Sequence, residues 1–158
     1  MRRRQFWMAC ALAVAAGMLG GSASALQAEP DPAELAVIVH PDNRAQITAA
    51  LLEDLFLRRQ TQWSDGDRVI PLNAPPDAAP RQAFDRAVLA MSPDEVARYW
   101  LDQRIRGAGS APREVGEVAL TIKLVTKLKA AVGYVPAFAA LEGVRIVARV
   151  RGGKLILP

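Results

Sequence analysis

Cysteine and histidine are nearly absent from this sequence. Its 158 residues include one cysteine, Cys10, and one histidine, His40. A zinc site needs a cluster of such ligands, and the carboxylates lack the spacing of a calcium loop. His40 lies beside Asp42 after a short apolar run, a pattern more typical of a turn than of a ligand or a base. We therefore expect neither a metal nor any other cofactor.

Activated nucleophiles are also scarce. After residue 25 the only serines are Ser64, Ser92 and Ser110, and each lies in a sequence typical of a turn or a helix cap. A catalytic serine needs a nearby base, and a triad cannot be assembled around a single histidine. The segment 65–67 has two aspartates around a glycine, but it lacks further acidic ligands and is interpreted as a turn. We expect a protein that is not an enzyme.

Long apolar runs are limited to the N-terminus. Three arginines at positions 2–4 precede an apolar stretch over 6–19, which ends in the small residues Ala23, Ser24 and Ala25. This pattern predicts a cleavable signal peptide over 1–25, followed by one domain over 26–158. The apolar stretch is too short for stable insertion in a membrane, so we expect a periplasmic protein. Residues 3–6 resemble a twin-arginine signal, although the Sec route is favoured.

Strong charge of one sign is lacking once the signal is removed. Three of the 20 basic residues lie in the signal, which leaves 17 against 16 acidic residues, a net charge of +1. No run of lysine or arginine remains in the predicted domain. Nucleic-acid binding requires a basic surface that displaces counterions from phosphates, so a nucleic-acid partner is excluded.

Apolar periodicity indicates strands separated by helices. The run 35–39 is typical of a buried strand, and Thr48 precedes residues spaced as on one helix face. Ser92 and Glu95 form a capping box around Pro93. The alternation over 144–150 predicts a half-exposed edge strand. The complete prediction has strands over 35–39, 68–72, 133–136, 144–150 and 154–157, and helices after residue 48, over 81–91, after residue 92 and over 114–130. This order favours an α/β layer fold.

Seven segments, in order and spacing, resemble the phosphate-binding proteins of ABC transporters. They are LLEDLFL (51–57), WSDG (63–66), IPL (70–72), RQAF (81–84), YW (99–100), GAGSAP (107–112) and VGYVP (132–136). The resemblance is closest to short relatives with the patterns "IF.G....W.dG..i.P", "R..F", "YW....G.g..P" and "GYV". It implies a single lobe of the type 2 periplasmic-binding-protein fold, a small mixed sheet flanked by helices, and a solute-binding-like role in phosphate transport.

The same resemblance implies an oxyanion site at a helix N-terminus near residues 77–81. Other members have a Ser-Gly-Thr-type segment there, whereas this chain has alanines and a proline, which removes hydroxyl and N–H donors. Arg81 remains, so an oxyanion site formed by Arg81 and Gln82 near Asp77 is one hypothesis. The alternative is a surface ion pair of Arg81 with Asp77 or Asp85. A second candidate is the loop of Gly107, Gly109 and Ser110, with a plain linker as its alternative.

Two functions remain open from the sequence. The first is a solute-binding-like protein that binds phosphate or a similar oxyanion weakly or not at all. The second is a single-lobe interaction module of the cell envelope, with an envelope protein or a homodimer as partner. The predicted edge strand 144–150 is a candidate surface for it, and the alternative is that the arginines of this strand protect the sheet edge from such pairing. Trp63, Trp100 and Tyr134 are expected to pack in or near the core rather than on a ligand.

Overall fold

The apolar run Leu35–Val39 is the inner strand of one mixed sheet. The computed structural model describes Asp31 and residues 33–158, so the predicted signal peptide lies outside the described residues. The strands are β1 (Leu35–Val39), β2 (Ile70–Asn73), β3 (Arg113–Glu114), β4 (Ala131–Pro136), β5 (Arg145–Arg151) and β6 (Lys154–Ile156), in the spatial order β3-β2-β4-β1-β5-β6. β1 is antiparallel to β4 and β5, β2 is parallel to β3 and β4, and β5 and β6 form an antiparallel hairpin.

In the part of the chain that the structure describes, four helices flank this sheet. They are α1 (Ala49–Phe56), α2 (Ala79–Phe84), α3 (Pro93–Ile105) and α4 (Val118–Lys127), and α2 continues into a π-helical turn, Asp85–Leu89. Thr48 caps α1 through a hydrogen bond from the N–H of Leu51, and Ser92 and Glu95 form the predicted capping box of α3. The N–H and hydroxyl of Ser92 lower the pKa of the Glu95 carboxyl. In residues 33–158, no helix has both the length and the apolar character that a membrane crossing requires.

Alternate side chains of β1 supply two cores, one on each face of the sheet. Leu35, Val37 and Val39 pack with the side of α1, α2 and α3, whereas Ala36 and Ile38 pack with the side of α4. All five residues are completely buried. A strand that is covered on both faces needs apolar side chains at every position, which explains the continuous run in the sequence.

Three predicted elements differ from the structure. The helix predicted over 81–91 divides into α2 and the π-helical turn and ends at Ala90, whose φ of 52° is left-handed. The helix predicted over 114–130 begins only at Val118, because Arg113 and Glu114 pair with β2 as β3. The ribbon predicted over 144–150 is not an edge strand, because β5 lies between β1 and β6. Its arginines therefore do not protect an open sheet edge.

Candidate functional site

A groove of about 290 Å³ lies beside the start of α2 and along α3. We call it the ion-pair groove, and it is lined by Pro76, Arg81, Asp85, Pro93, Val96, Ala97, Trp100, Leu101, Arg104, Ala111 and Glu114. It includes Arg81, the central residue of the hypothetical oxyanion site, but not Asp77 or Gln82 of the same hypothesis. Trp100 is only 9% exposed and forms part of the wall of the ion-pair groove.

The charge of Arg81 is already paired inside the fold. Its Nε donates to both carboxylate oxygens of Asp85, at 2.8 Å and 3.0 Å, and its Nη1 donates to the carbonyl of Ala74 at 3.0 Å. Arg81 and Asp85 are 4% and 3% exposed. The i,i+4 spacing places both side chains on one side of the helical segment. Of the two partners offered by the sequence, Asp85 is therefore the one that binds Arg81, and the pair is buried rather than on the surface.

Burial and attraction act in opposite directions on this carboxyl. Loss of water raises the pKa of Asp85, and the nearby guanidinium of Arg81 opposes that rise. An anion entering the ion-pair groove thus meets a cation that is neutralised by a carboxylate, and it is repelled by that same carboxylate.

Tyr134 fixes the end of β2, where Ala74 lies. Its hydroxyl donates to Oδ1 of Asn73 at 2.8 Å and accepts from the N–H of Ala74 at 3.2 Å. Its ring stacks on Phe84 with centroids 4.0 Å apart. Burial raises the pKa of the Tyr134 phenol. These contacts hold Ala74, and with it the carbonyl that accepts from Arg81, in one position.

The predicted site residues do not come together. Arg81 lines the ion-pair groove, whereas Ser110 lines a second groove. Four others line neither: exposed Asp77, Gly107 and Gly109, and half-buried Gln82, whose N–H is used by the carbonyl of Ala78. Gly107 and Gly109 have φ values of 66° and 136° in the loop after α3.

Other residues weighed from the sequence have structural contacts. Trp63 is buried and its Nε1 donates to the carbonyl of Ala130, and Tyr134 lies in the core, so the expected core role of both is confirmed. Nδ1 of His40 accepts from the N–H of Asp42, as in a turn. The carboxylate of Asp65 accepts from the N–H of Asp67, which also fits the predicted turn.

The second groove contains residues that sequence reasoning missed. We call it the arginine groove; it has a volume of about 330 Å³ and is lined by Arg58, Arg68, Val69, Ile70, Pro71, Ser110, Ala111, Pro112 and Arg113. Ala111 lines both grooves, so the two are neighbours on either side of this segment. One signal was available: Arg58 occupies the position at which the pattern "IF.G" has glycine.

Comparison with known proteins identifies the fold. No protein-family model matches this sequence, and no curated protein is significantly similar to it. The structure is similar to an ABC-type phosphate transport receptor from Vibrio cholerae, with a TM-score of 0.56 and 15% identity, over 71% of this chain and 44% of the receptor. It is equally similar to a phosphate ABC transporter substrate-binding protein with bound phosphate from Clostridium perfringens, with a TM-score of 0.56 and 16% identity, over 71% and 43%.

This chain thus spans less than half the length of either binding protein. The predicted fold class is confirmed: a six-stranded mixed sheet with four flanking helices, similar to one part of these binding proteins. At this identity the likeness concerns the fold, since related folds carry different sites.

Proposed function

We propose that this chain is a non-catalytic, solute-binding-like lobe of the periplasm that binds phosphate-like anions weakly or not at all. The observation that carries the proposal is the buried pair of Arg81 and Asp85, which occupies the place where the resemblance puts an oxyanion. Arg81 already forms a charge-assisted hydrogen bond with Asp85. An incoming phosphate therefore finds no unpaired cation to bind, and the carboxylate of Asp85 repels it. The binding proteins of similar fold support the solute-binding-like part of the proposal.

Titration of the purified protein with phosphate tests this function. We expect no binding at micromolar phosphate for the wild type. Asp85→Asn leaves the guanidinium of Arg81 without its carboxylate, so phosphate should raise the thermal midpoint of this variant, because a ligand that binds only the folded state stabilises it. Asp102→Asn is the matched control, since Asp102 also forms an i,i+4 pair with an arginine, Arg106, but in an exposed position.

Each outcome decides between two readings of the site. Micromolar binding by the wild type contradicts the proposal. A phosphate-dependent shift in Asp85→Asn but not in Asp102→Asn supports weak oxyanion binding blocked by Asp85. No shift in either variant, with both folded by circular dichroism, leaves no oxyanion role for Arg81.

A second candidate, the protein-interaction module of the cell envelope, is favoured by exposed apolar side chains on α3. Leu101 is 55% exposed at the wall of the ion-pair groove, and Ile105, one turn further, is 76% exposed. Exposed apolar groups next to each other are typical of contact surfaces rather than of anion sites.

Both candidate functions assume that the protein is exported. The intact mass of the protein recovered from a periplasmic extract tests this export, and the expected first residue is Leu26.

A further inference from the structure

The arginine groove brings together three cations from three parts of the chain. Arg58 follows the end of α1, Arg68 precedes β2, and Arg113 lies in β3. Arg68 and Arg113 are exposed and Arg58 is half-buried. Tertiary structure alone assembles this cluster, because the three residues are separated by many positions in the sequence.

These three arginines keep their charge uncompensated. Among Asp31 and residues 33–158, none of the three forms a salt bridge or a side-chain hydrogen bond, whereas Arg59, Arg81, Arg106 and Arg151 each pair with a carboxylate. The nearest acidic residue in sequence to Arg113 is Glu114, and successive strand residues point to opposite faces. Glu114 accordingly lines the ion-pair groove, and Arg113 lines the arginine groove. No carboxylate from the described part of the chain lines the arginine groove.

Arg58 occupies its place at a conformational cost. The N–H of Arg58 bonds the carbonyl of Leu55, and the N–H of Arg59 bonds that of Asp54, which together form a Schellman motif at the end of α1. The residue after the helix cap in this motif is usually glycine, because its φ is positive. Arg58 has a φ of 59°. A side chain is thus retained where glycine fits better, and that side chain lines the groove.

The lining also has an apolar component. Val69, Ile70, Pro71, Ala111 and Pro112 also line the groove, and of these Ile70 and Ala111 are exposed. β3 lies at one edge of the sheet, and among the described residues its outer backbone edge pairs with no strand. This edge can accept a strand from a partner. An inorganic anion gains nothing from contact with the apolar side chains of the groove. An extended peptide with carboxylates and apolar side chains can pair with the arginines, contact the apolar side chains and hydrogen-bond to the strand edge at the same time.

We propose that the arginine groove docks an extended acidic segment of a partner protein. The carboxylates of the segment face Arg58, Arg68 and Arg113, and its apolar side chains contact Ile70 and Ala111. This site is separate from the buried pair of Arg81 and Asp85 and does not depend on phosphate binding.

Fluorescence anisotropy with a labelled short peptide of alternating glutamate and leucine tests the docking. We expect the purified protein to bind it at low ionic strength and to lose most of the binding at about 0.5 M salt, because exposed charges are screened. Arg58→Gly, Arg68→Ala and Arg113→Ala should each weaken binding about threefold to tenfold. Arg44→Ala and Arg86→Ala remove the same charge from exposed positions outside the groove and should leave binding unchanged.

Arg58→Gly separates binding from folding. Glycine relieves the left-handed strain, so the thermal midpoint should stay constant or rise by about 1–4 °C while peptide binding falls. The proposal is overturned if the peptide does not bind, if Arg44→Ala lowers binding as much as the groove variants do, or if pyrophosphate binds the groove and the peptide does not. The Asp85→Asn and Asp102→Asn measurements with phosphate are unaffected by any of these results, so the two proposals fail independently.

Discussion

Two buried charges, Arg81 and Asp85, determine what the ion-pair groove offers to a ligand. Removal of one member leaves the other buried without its partner, so Arg81→Met and Asp85→Leu should each lower the free energy of unfolding by about 3–5 kcal/mol. The double variant Arg81→Met/Asp85→Leu should be within about 1 kcal/mol of the wild type, because apolar side chains of similar volume need no compensation. Urea unfolding of the four proteins measures the coupling in a double-mutant cycle.

If the losses of stability in the two single variants add up in the double variant, Arg81 and Asp85 are not a coupled pair.

The pH dependence of the free energy of unfolding provides a second readout. The pKa of Asp85 is raised by burial, so the folded state binds more protons than the unfolded state between the ordinary and the raised value. The contribution of Asp85 to the free energy of unfolding therefore falls as pH rises through that window. The double variant should lack this fall.

Local sequence identified Arg81 as a candidate but not the geometry of its pairing. A surface ion pair of Arg81 with Asp77 or Asp85 was an explicit alternative, because an arginine in the first turn of a helix often pairs locally. Its burial was not predictable, because the cover comes from outside the helix: Ala74, which follows β2, and Trp100 on α3. For the same reason, the shared groove of Arg58, Arg68 and Arg113 could not be predicted from local patterns.

Elements with a complete local signal were predicted correctly. β1 has its apolar run, and α1 and α3 have their caps, Thr48 and Ser92. β3 has no such signal, since two exposed residues become a strand only by pairing with β2. The inner position of β5 was missed because alternation describes which faces are buried and does not report which edges are paired.

Contact between β4 and α4 depends on Gly133. A Cβ added at Gly133 would lie 3.0 Å from Cγ2 of Thr121 on α4 and 3.5 Å from Cβ of Leu72 on β2. Gly133→Ala should therefore lower the free energy of unfolding by about 1–3 kcal/mol, because α4 must move outward. Gly116→Ala is the matched control, since a Cβ there has no neighbour within 4 Å. Chemical denaturation measures both variants.

A compensating substitution isolates this contact. Thr121→Ser removes the methyl group that opposes the new Cβ, so the double variant Thr121→Ser/Gly133→Ala should recover part of the loss. If Gly133→Ala and Gly116→Ala change stability equally, backbone entropy rather than the close approach of α4 explains the effect.

At the scale of the whole molecule, both cores share β1, so the two faces of the sheet should unfold together. Trp63 and Trp100 belong to the core on the side of α1, α2 and α3, and Ile38 belongs to the core on the side of α4. Ile38→Ala should lower the free energy of unfolding by about 2–5 kcal/mol, because it leaves a cavity at a completely buried position. Val37→Ala, on the tryptophan side, is the control on the opposite face.

Whether residues 26–158 behave as the predicted single domain can be decided by comparing the unfolding transitions that two probes report. Tryptophan fluorescence reports the packing around Trp63 and Trp100, whereas far-ultraviolet circular dichroism reports the backbone of all elements. If the sheet couples its two faces, Ile38→Ala lowers the midpoints of both transitions. The fluorescence and circular dichroism midpoints then stay at one urea concentration, as two-state unfolding requires. Val37→Ala should behave in the same way. A fluorescence transition that stays at the wild-type midpoint in Ile38→Ala, while the circular dichroism transition moves, would mean that the α4 side unfolds separately.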